Sequence, residues 1–432
     1  MGKNVSVERK ILLLTSLGSV LEYYDFVVYG MLAIYLKGAF FPAENETAAA
    51  LQFFSVFAIG YFIRPFGGII AGVIGDKLGR KPAFLYLTTI MAISTLMIGI
   101  LPIYSQVGFL ATFLLLLCRI GQGLSFGGEL PGATTIVSEF TPFKHKGTRI
   151  SFVIAGVSVG ALAASFVLFS LTTLLDKVEM AEWGWRIPFI IGGFFGIALF
   201  WARKNLVETP EFQSLAVIAK ENSPLKELTY HHRPSVIAGI LFTAFSSAMV
   251  ISNIYFPYYL KHYFSFPEKN IYFAATLSLT FSALIFPLTG RLSDRFSKHK
   301  LVKWTTLSYL VFSYLLFNLL SYQSIYSLIL FMFLHQFYIA LFSSCYFPII
   351  INLFPTKVRY TGTALCYNIG YATMGTLPTI FTFLLSKFQT PYIVPYTLMG
   401  MAVISYMAVS WIEGIEKRRI VPDTGRTALD GN

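Results

Sequence analysis

The sequence predicts an all-α polytopic membrane protein, with twelve transmembrane helices arranged as two pseudo-symmetric six-helix bundles. Of its 432 residues, 55% are hydrophobic and only 12% are charged, whereas a soluble domain carries roughly 25% charged residues. Apolar runs of roughly 20 residues, the length of helix that crosses the hydrocarbon core of a bilayer, recur along the whole chain. Short motifs also repeat between the two halves. These three observations exclude a soluble globular domain.

One long polar segment divides the apolar runs evenly. Residues 204–234 separate six runs from six, and we interpret them as a cytoplasmic linker with short amphipathic helices. The linker joins an N-terminal bundle (1–203) to a C-terminal bundle (235–412), and residues 413–432 are predicted to be a short cytoplasmic tail. The predicted spans are 12–36, 50–74, 83–104, 107–137, 150–175, 186–203, 235–260, 271–290, 302–321, 324–353, 361–386 and 393–412.

The two halves carry related loops, which indicates a duplicated six-helix unit. The segment GVIGDKLGRK at 72–81, after the second run, is echoed by GRLSDRFSK at 290–298, after the eighth. Pro142 and Pro355, each followed by basic residues and a glycine, come after the fourth and tenth runs. Parallel repeats of this kind occur in transporters whose halves rock about a central site. We therefore expect a solute site between the halves, near the middle of the membrane.

The net charge of +12 reflects membrane topology. With the N-terminus inside, most Lys and Arg residues fall in cytoplasmic loops and tails, as the positive-inside rule requires. Both termini are therefore predicted to be cytoplasmic. No basic and aromatic module typical of nucleic-acid binding is present, so the expected surroundings are the lipid bilayer.

Cys118, Cys345 and Cys366 all fall inside predicted spans, so neither disulfides nor a metal site is indicated, and we expect no cofactor.

Several motifs resemble a known transporter family. The loop at 72–81 and the sequence RIGQG at 119–123 resemble hallmarks of the major facilitator superfamily. A closer resemblance is to its metabolite:proton symporters, which include carriers of proline and betaine, 2-oxoglutarate, citrate and shikimate. The motifs that carry it are LEYYDF at 21–26, RPFGG at 64–68, GGE at 127–129, WGWRIPF at 183–189 and ETPEF at 208–212. The resemblance implies a multi-pass protein of a bacterial inner membrane that is not an enzyme.

The most informative charges within the predicted spans are Asp25 and Arg119. An ionisable residue at membrane depth is costly and is kept where it pairs, faces water or handles a charged ligand. We expect these two residues to lie close together, so that separating them raises the affinity of Asp25 for a proton and couples the proton to the solute. The alternative is a static ion pair that holds the first and fourth spans together.

Three further charges lie in the first-half spans, and each has two interpretations. Glu22 is three residues before Asp25, on roughly the same helix face, and is either a second proton site or an acceptor for Arg64 or the backbone. Glu129 follows a glycine pair and is either a proton relay or a helix-packing partner. Arg64 precedes Pro65, and we assign it a structural or gating role, pairing with Glu22 or Glu129.

The loop charges are predicted to act as a conformational gate. The family resemblance implies that Asp76, Arg80 and Lys81 latch one conformation and do not contact solute. Asp294 is the matching position of the second half, where the copy is degraded and the gate is expected to be looser. The loop lacks the G-K-[S/T] ending and the preceding strand of a phosphate-binding loop, so nucleotide binding is rejected.

The second half supplies candidate solute ligands. Tyrosines around Pro257 can hold an ammonium group by cation–π attraction, or form the ordinary aromatic belt of a span end. His335 either titrates near neutral pH or is a packed, hydrogen-bonded core residue. The candidate solute-binding set is Arg119, Tyr24, Gln122, Asn253, Tyr255, Tyr258 and His335.

These features together predict a monomeric, proton-coupled importer of a small carboxylate-bearing metabolite that works by alternating access. The excess of acids over arginines in the spans favours a zwitterion such as proline or a betaine over a di- or tricarboxylate. An exporter working by proton antiport is the main alternative, although Gly156 and Gly160 lack the following proline typical of antiporters. A membrane sensor and a membrane enzyme are less consistent with the sequence, which offers no soluble domain and no nucleophile–base constellation.

Overall fold

The computed structural model describes residues 2–42, 45–70, 80–140, 145–204, 224–355 and 358–420, and these residues are almost entirely α-helical. Short helices at Ala33–Phe40, Tyr104–Val107, Lys177–Glu182 and Pro224–His231 flank the long ones. The main helices of the described residues are α1 (Gly2–Met31), α2 (Glu46–Ile70), α3 (Arg80–Ile100), α4 (Phe109–Phe140), α5 (Lys146–Leu174), α6 (Ile187–Lys204), α7 (Arg233–Phe264), α8 (Glu268–Arg295), α9 (Lys298–Asn318), α10 (Ile325–Asn352), α11 (Thr361–Phe388) and α12 (Ile393–Ile420).

The helices fall at the predicted apolar runs, and the all-α polytopic architecture is confirmed. Among the described residues, ten helices are long and apolar enough to cross a bilayer. The last part of α1 and the helix Ala33–Phe40, which meet at a bend of 66°, supply an eleventh span if they cross together. In α3 the apolar part, Leu85–Ile100, is shorter.

The last helix is longer than its predicted span. The helix α12 continues to Ile420, past residue 412, where the tail was predicted to begin. Two acids of this extension contact α9: Glu413 lies 2.7 Å from Lys303, and Glu416 lies 3.2 Å from His299. Hydropathy marks where a chain leaves the apolar core and does not mark where its helix ends. The Lys303–Glu413 ion pair holds the extension against α9.

The two halves of the chain meet along two seams. The most extensive helix contact is between α5 and α8, and a second seam joins α2 and α4 to α11. Within the first half α1 packs on α5 and α3 on α6, while within the second α7 packs on α12 and α8 on α10. The space between the seams is where a solute site was expected.

Glycines allow α2 and α4 to touch backbone to backbone. A Cβ on Gly127 of α4 would overlap the carbonyl oxygen of Arg64, and one on Gly123 would overlap that of Gly60. Small residues at such crossings let helices approach closely where the membrane offers no hydrophobic driving force between them. This contact fixes Arg64 on α2 relative to Arg119 on α4.

We expect Gly127→Ala to destabilise the protein by about 1–3 kcal/mol, because the added methyl group overpacks the α2–α4 contact. The thermal unfolding midpoint of the purified protein in detergent measures this effect. Gly400→Ala in α12 is the matched control, since nothing lies within 4 Å of its added Cβ. Equal midpoints for the two variants would contradict the close approach.

Candidate transport site

A cavity of about 60 Å³ lies between the halves of the chain. Helices α1, α4 and α5 of the first half and α7, α8, α10 and α11 of the second contribute to its wall. Within the described part of the chain, its lining is apolar, aromatic or neutral polar and contains no charged side chain. The aromatic and polar members are Tyr23, Ser158, Ser246, Asn253, Phe286, Gln336, Ser343, Phe347, Tyr367 and Tyr371.

Arg119 is fully buried within the first half and is surrounded by aromatic rings. Its guanidinium carbon lies 4.2 Å from the ring centroid of Tyr29 and 4.6 Å from that of Phe26. Its Nη1 donates a 2.7 Å hydrogen bond to Gln122 Oε1, while Nε and Nη2 have no hydrogen-bond partner among the described residues. Arg119 is not part of the cavity wall.

Asp25 is 2% exposed, and the structure does not show the predicted direct pair with Arg119. Thr95 of α3 lies beside the Asp25 carboxylate and accepts a 2.8 Å hydrogen bond from Gln122 Nε2. Asp25 Oδ1 has no hydrogen-bond partner among the described residues. Thr95 and Gln122 therefore stand between the two charges, and the coupling role of Asp25 stays a prediction.

Arg64 is 1% exposed and lies in a cage of four rings, which the sequence did not indicate. Its guanidinium carbon is 3.8 Å from the ring centroid of Phe126, 4.0 Å from Tyr61, 4.4 Å from Phe26 and 5.5 Å from Tyr371. Its Nε and Nη1 find no hydrogen-bond acceptor in the described residues.

The predicted pairing of Arg64 with Glu22 or Glu129 is wrong, since neither carboxylate is within ion-pair distance of it. Both acids are buried, at 6% and 5% exposure, and both have contacts of their own. Aromatic faces take the place that carboxylates were expected to occupy around Arg64. The choices between proton site and structural group for Glu22, and between relay and packing for Glu129, stay open.

Of the three predicted solute ligands on α7, one lines the cavity and two do not. Asn253 lines the cavity, as a solute ligand should. Tyr255 packs between Phe54 and Phe381, with ring centroids 5.0 and 5.6 Å away. Tyr258 stacks on another residue of α7, as described below. Neither tyrosine reaches the cavity.

Tyr24 and His335 also lie away from the cavity wall. Tyr24 donates a 2.9 Å hydrogen bond to the Pro188 carbonyl and so ties α1 to α6. His335 is fully buried, with its ring centroid 4.9 Å from that of Phe256. The next residue, Gln336, lines the cavity instead, because one step along a helix turns a side chain by roughly 100°. This position agrees with the packed interpretation of His335, and its contact with solute stays a prediction.

Ionic contacts close one end of the bundle, and the sequence analysis missed them. Lys37 bonds Glu46, and Glu46 lies 2.6 Å from His262 Nε2 of α7. The His262 ring stacks on that of Tyr258 at 4.0 Å. Nearby, Lys261 lies 3.1 Å from Glu268. The Lys37 cluster (Lys37, Glu46 and His262) thus joins the two halves, and its only sequence signal was charge at the ends of spans.

A different contact joins the halves at the other end of α8. Asp294 accepts hydrogen bonds from the backbone N–H groups of Gly147 and Thr148, at 2.8 and 2.9 Å. It also accepts one from Thr148 Oγ1 at 2.7 Å. The carboxylate thereby caps the start of α5, where the helix dipole favours negative charge.

The first-half copy of this loop is only partly described. Asp76 lies outside the described residues, and Arg80 and Lys81 lie in the first turn of α3. Their predicted gating role stays a prediction.

The structure is a bundle of apolar helices with a neutral cavity between its halves. Polar contacts join those halves at both ends of the bundle. This is the architecture of a solute transporter. A sequence profile of the Major Facilitator Superfamily matches residues 15–365 and, again, 239–428. The chain belongs to the Major Facilitator Superfamily. It is therefore a multi-pass integral membrane protein that transports small solutes and is not an enzyme.

The chain is similar along most of its length to curated transporters. It is 31% identical over 412 residues to a putative proline/betaine transporter of Staphylococcus aureus, covering 94% of this chain and 88% of the relative. It is 31% identical to the proline/betaine transporter of Salmonella typhimurium, covering 92% and 81%. It is 30% identical to a glycine betaine/proline/ectoine/pipecolic acid transporter of Dickeya dadantii, covering 92% and 82%.

Solved structures agree on the fold. A partially occluded inward-open form of the xylose transporter XylE from E. coli superposes with a TM-score of 0.71 at 17% identity, covering 96% of this chain and 98% of that one. A crystal structure of a D-xylose-proton symporter gives a TM-score of 0.72 at 16% identity, covering 93% and 96%. The predicted resemblance and the fold class are confirmed.

Asp294→Asn should open the cavity more often at the Asp294 end, because an amide replaces one acceptor oxygen with a donor that faces other donors. A single cysteine at Ser246 of the cavity wall, in a chain without its three native cysteines, reports this as a several-fold faster maleimide reaction. Asp176→Asn is the control, since Asp176 also caps a helix but in an exposed position within one half. An unchanged rate for Asp294→Asn would show that this contact does not hold the halves together.

Proposed function

We propose that the protein imports a small zwitterion, with one carboxylate and one ammonium group, by proton-coupled symport. The observation that carries the proposal is the neutral, aromatic-lined cavity between the two halves. Contacts between the halves lie on both sides of this cavity, at opposite ends of α8, which is the arrangement that alternating access requires. The similarity to proline/betaine transporters supports the same substrate class.

The cavity wall favours a solute of zero net charge. Rings of Tyr23, Tyr367 and Tyr371 can hold an ammonium group by cation–π attraction, while Asn253 and Gln336 can donate hydrogen bonds. A di- or tricarboxylate needs an excess of positive charge at its site, and the described lining residues offer none. Such solutes are therefore the second candidate class.

Asp25 is the group best suited to carry the proton. It is buried, and one of its carboxylate oxygens has no partner in the described residues. Leaving such an oxygen charged and unsatisfied is costly, so a proton on Asp25 stabilises the buried state. Its neighbour Thr95 is hydrogen-bonded to Gln122, and Gln122 to Arg119. A change in the charge of Asp25 is therefore felt at Arg119.

The orientation of the protein in the membrane is proposed from the distribution of charge. Lys and Arg residues cluster in the loops on one side, which the positive-inside rule assigns to the cytoplasm, in the inner membrane of a bacterium and with both termini inside. We propose that a monomer in the bilayer is the working unit. Export by antiport remains the alternative. Gly160, at the position of the antiporter bend, serves here to let α5 meet the backbone of α1 at Val20.

Proteoliposome uptake of labelled proline, glycine betaine, 2-oxoglutarate and citrate tests the substrate class. We expect proline or glycine betaine to accumulate when the external medium is more acidic, and collapse of the gradient by an ionophore to abolish the accumulation. Accumulation of only the di- and tricarboxylates would overturn the zwitterion assignment. Accumulation that requires the opposite gradient would indicate an antiporter.

Asp25→Asn should abolish accumulation against a gradient while leaving solute exchange intact, because asparagine keeps the shape of the side chain but cannot take up a proton. Counterflow measures exchange, and uptake driven by a pH gradient measures coupling. Glu179→Gln, in the exposed short helix Lys177–Glu182, is the control for loss of an acid. Normal gradient-driven accumulation by Asp25→Asn would remove Asp25 from the coupling mechanism.

A further inference from the structure

The two buried arginines of the first half differ in which part of the molecule surrounds them. The rings around Arg119 are Phe26, Tyr29 and Phe57, all from α1 and α2, and its hydrogen-bond partner Gln122 lies on its own helix. Arg119 is therefore enclosed by first-half residues.

Arg64 instead contacts the second half through one aromatic ring. Three of its ring neighbours belong to the first half, at 3.8 to 4.4 Å. The fourth, Tyr371 of α11, is more distant at 5.5 Å. Tyr371 also lines the cavity. One aromatic side chain thus lies both against Arg64 and on the cavity wall, and it belongs to the opposite half of the chain from Arg64.

The position of Tyr371 depends on the contact between the halves. One helical turn before it, Asn368 donates a 2.7 Å hydrogen bond to the Gly127 carbonyl of α4. Tyr371 also stacks on Tyr61, with ring planes 12° apart and centroids 6.4 Å apart. A displacement of α11 that breaks the Asn368 bond moves Tyr371 away from Arg64 and Tyr61, and so exposes the guanidinium to the cavity.

The chemistry of Arg64 suits an anion. Its Nε and Nη1 are buried N–H donors without acceptors in the described residues, and a carboxylate makes the strongest hydrogen bonds with such donors. The aromatic cage holds the cation without neutralising it, since ring faces attract positive charge but accept no conventional hydrogen bond from it. None of the described residues that line the cavity is a cation. Arg64 contacts one lining side chain, Tyr371, whereas the rings around Arg119 do not line the cavity.

We propose that Arg64, and not Arg119, binds the carboxylate of the transported solute once Tyr371 moves aside, while the ammonium group stays among the tyrosines of the cavity. This proposal rests on the proposed function, because it requires a solute with a carboxylate. It replaces the gating role expected for Arg64 and leaves Arg119 as a positioning residue. Solute binding is then linked to movement of α11, since Tyr371 and the carboxylate compete for the same face of Arg64.

A pair of ligands that differ only at the carboxylate tests this assignment. Glycine betaine and choline share a trimethylammonium group, but choline has a hydroxymethyl group where betaine has the carboxylate. We expect the purified wild-type protein to bind betaine at least about 30-fold more tightly than choline, as expected for a buried charge pair. Arg64→Gln should remove this preference by weakening betaine and leaving choline unchanged. Arg119→Gln, the matched variant, should keep the ratio.

The outcomes separate this proposal from the proposed function. If the wild-type protein binds neither betaine nor proline, the substrate class itself is wrong. If it binds betaine and Arg64→Gln keeps the betaine-to-choline ratio, the Arg64 assignment is overturned and the substrate class stands. Loss of the ratio in Arg119→Gln alone would assign the carboxylate to Arg119.

A measurement on the unmutated protein guards against a variant that fails to fold. Phenylglyoxal modifies arginine side chains, and peptide mapping locates the modified sites. We expect betaine, but not choline, to slow modification of Arg64 several-fold and to leave Arg119 unaffected. Equal protection by both ligands, or protection confined to Arg119, would refute the assignment.

Discussion

The structure of the first half depends on how two arginines are buried without a carboxylate partner among the described residues. A charged side chain at membrane depth costs a few kcal/mol even on lenient scales, and both guanidiniums are at most 1% exposed. Aromatic faces supply the compensation, since a desolvated cation–π contact contributes about 2 kcal/mol or more. Phe26 serves both cations, with its ring centroid 4.4 Å from the Arg64 guanidinium carbon and 4.6 Å from that of Arg119. An ion pair neutralises its cation, whereas an aromatic cage leaves the positive charge available to attract an anion.

The two halves contribute different kinds of side chain to the candidate transport site. All the buried charged residues of the described chain belong to the first half: Glu22, Asp25, Lys37, Arg64, Arg119 and Glu129. Second-half residues supply much of the neutral polar and aromatic wall of the cavity, including Asn253 and Tyr371. The contacts between the halves also differ, because the Lys37 cluster uses ion pairs and Asp294 uses the start of α5. Breaking the first separates charges, whereas breaking the second exposes backbone donors to water. Opening one end therefore requires the separation of charges, whereas opening the other requires the release of backbone N–H groups.

Hydropathy was sufficient to predict the fold class, because each span needs roughly 20 apolar residues and the described parts of these runs are almost entirely helical. The bend of 66° after α1 and the extension of α12 to Ile420 were not predictable, since neither changes the apolar pattern. The site was predicted less well. Counting charges suggested an Asp25–Arg119 pair, but Thr95 of α3 and Gln122 intervene, and sequence does not say which faces of neighbouring helices meet. Tyr371 gave no signal because 17% of the residues are aromatic.

The separation of Asp25 from the arginines does not weaken its proposed coupling to the solute. Two unit charges roughly 10 Å apart, in a medium of effective dielectric constant about 20, interact by about 1.7 kcal/mol, which is more than tenfold in affinity. A proton on Asp25 removes a negative charge near the cationic pair, so the site attracts a carboxylate more strongly. By reciprocity, a bound carboxylate strengthens proton binding at Asp25 by the same factor. Symport needs this positive sign of coupling. In the proposed mechanism a field acting through Thr95, Gln122 and Phe26 supplies it without any contact between proton and solute.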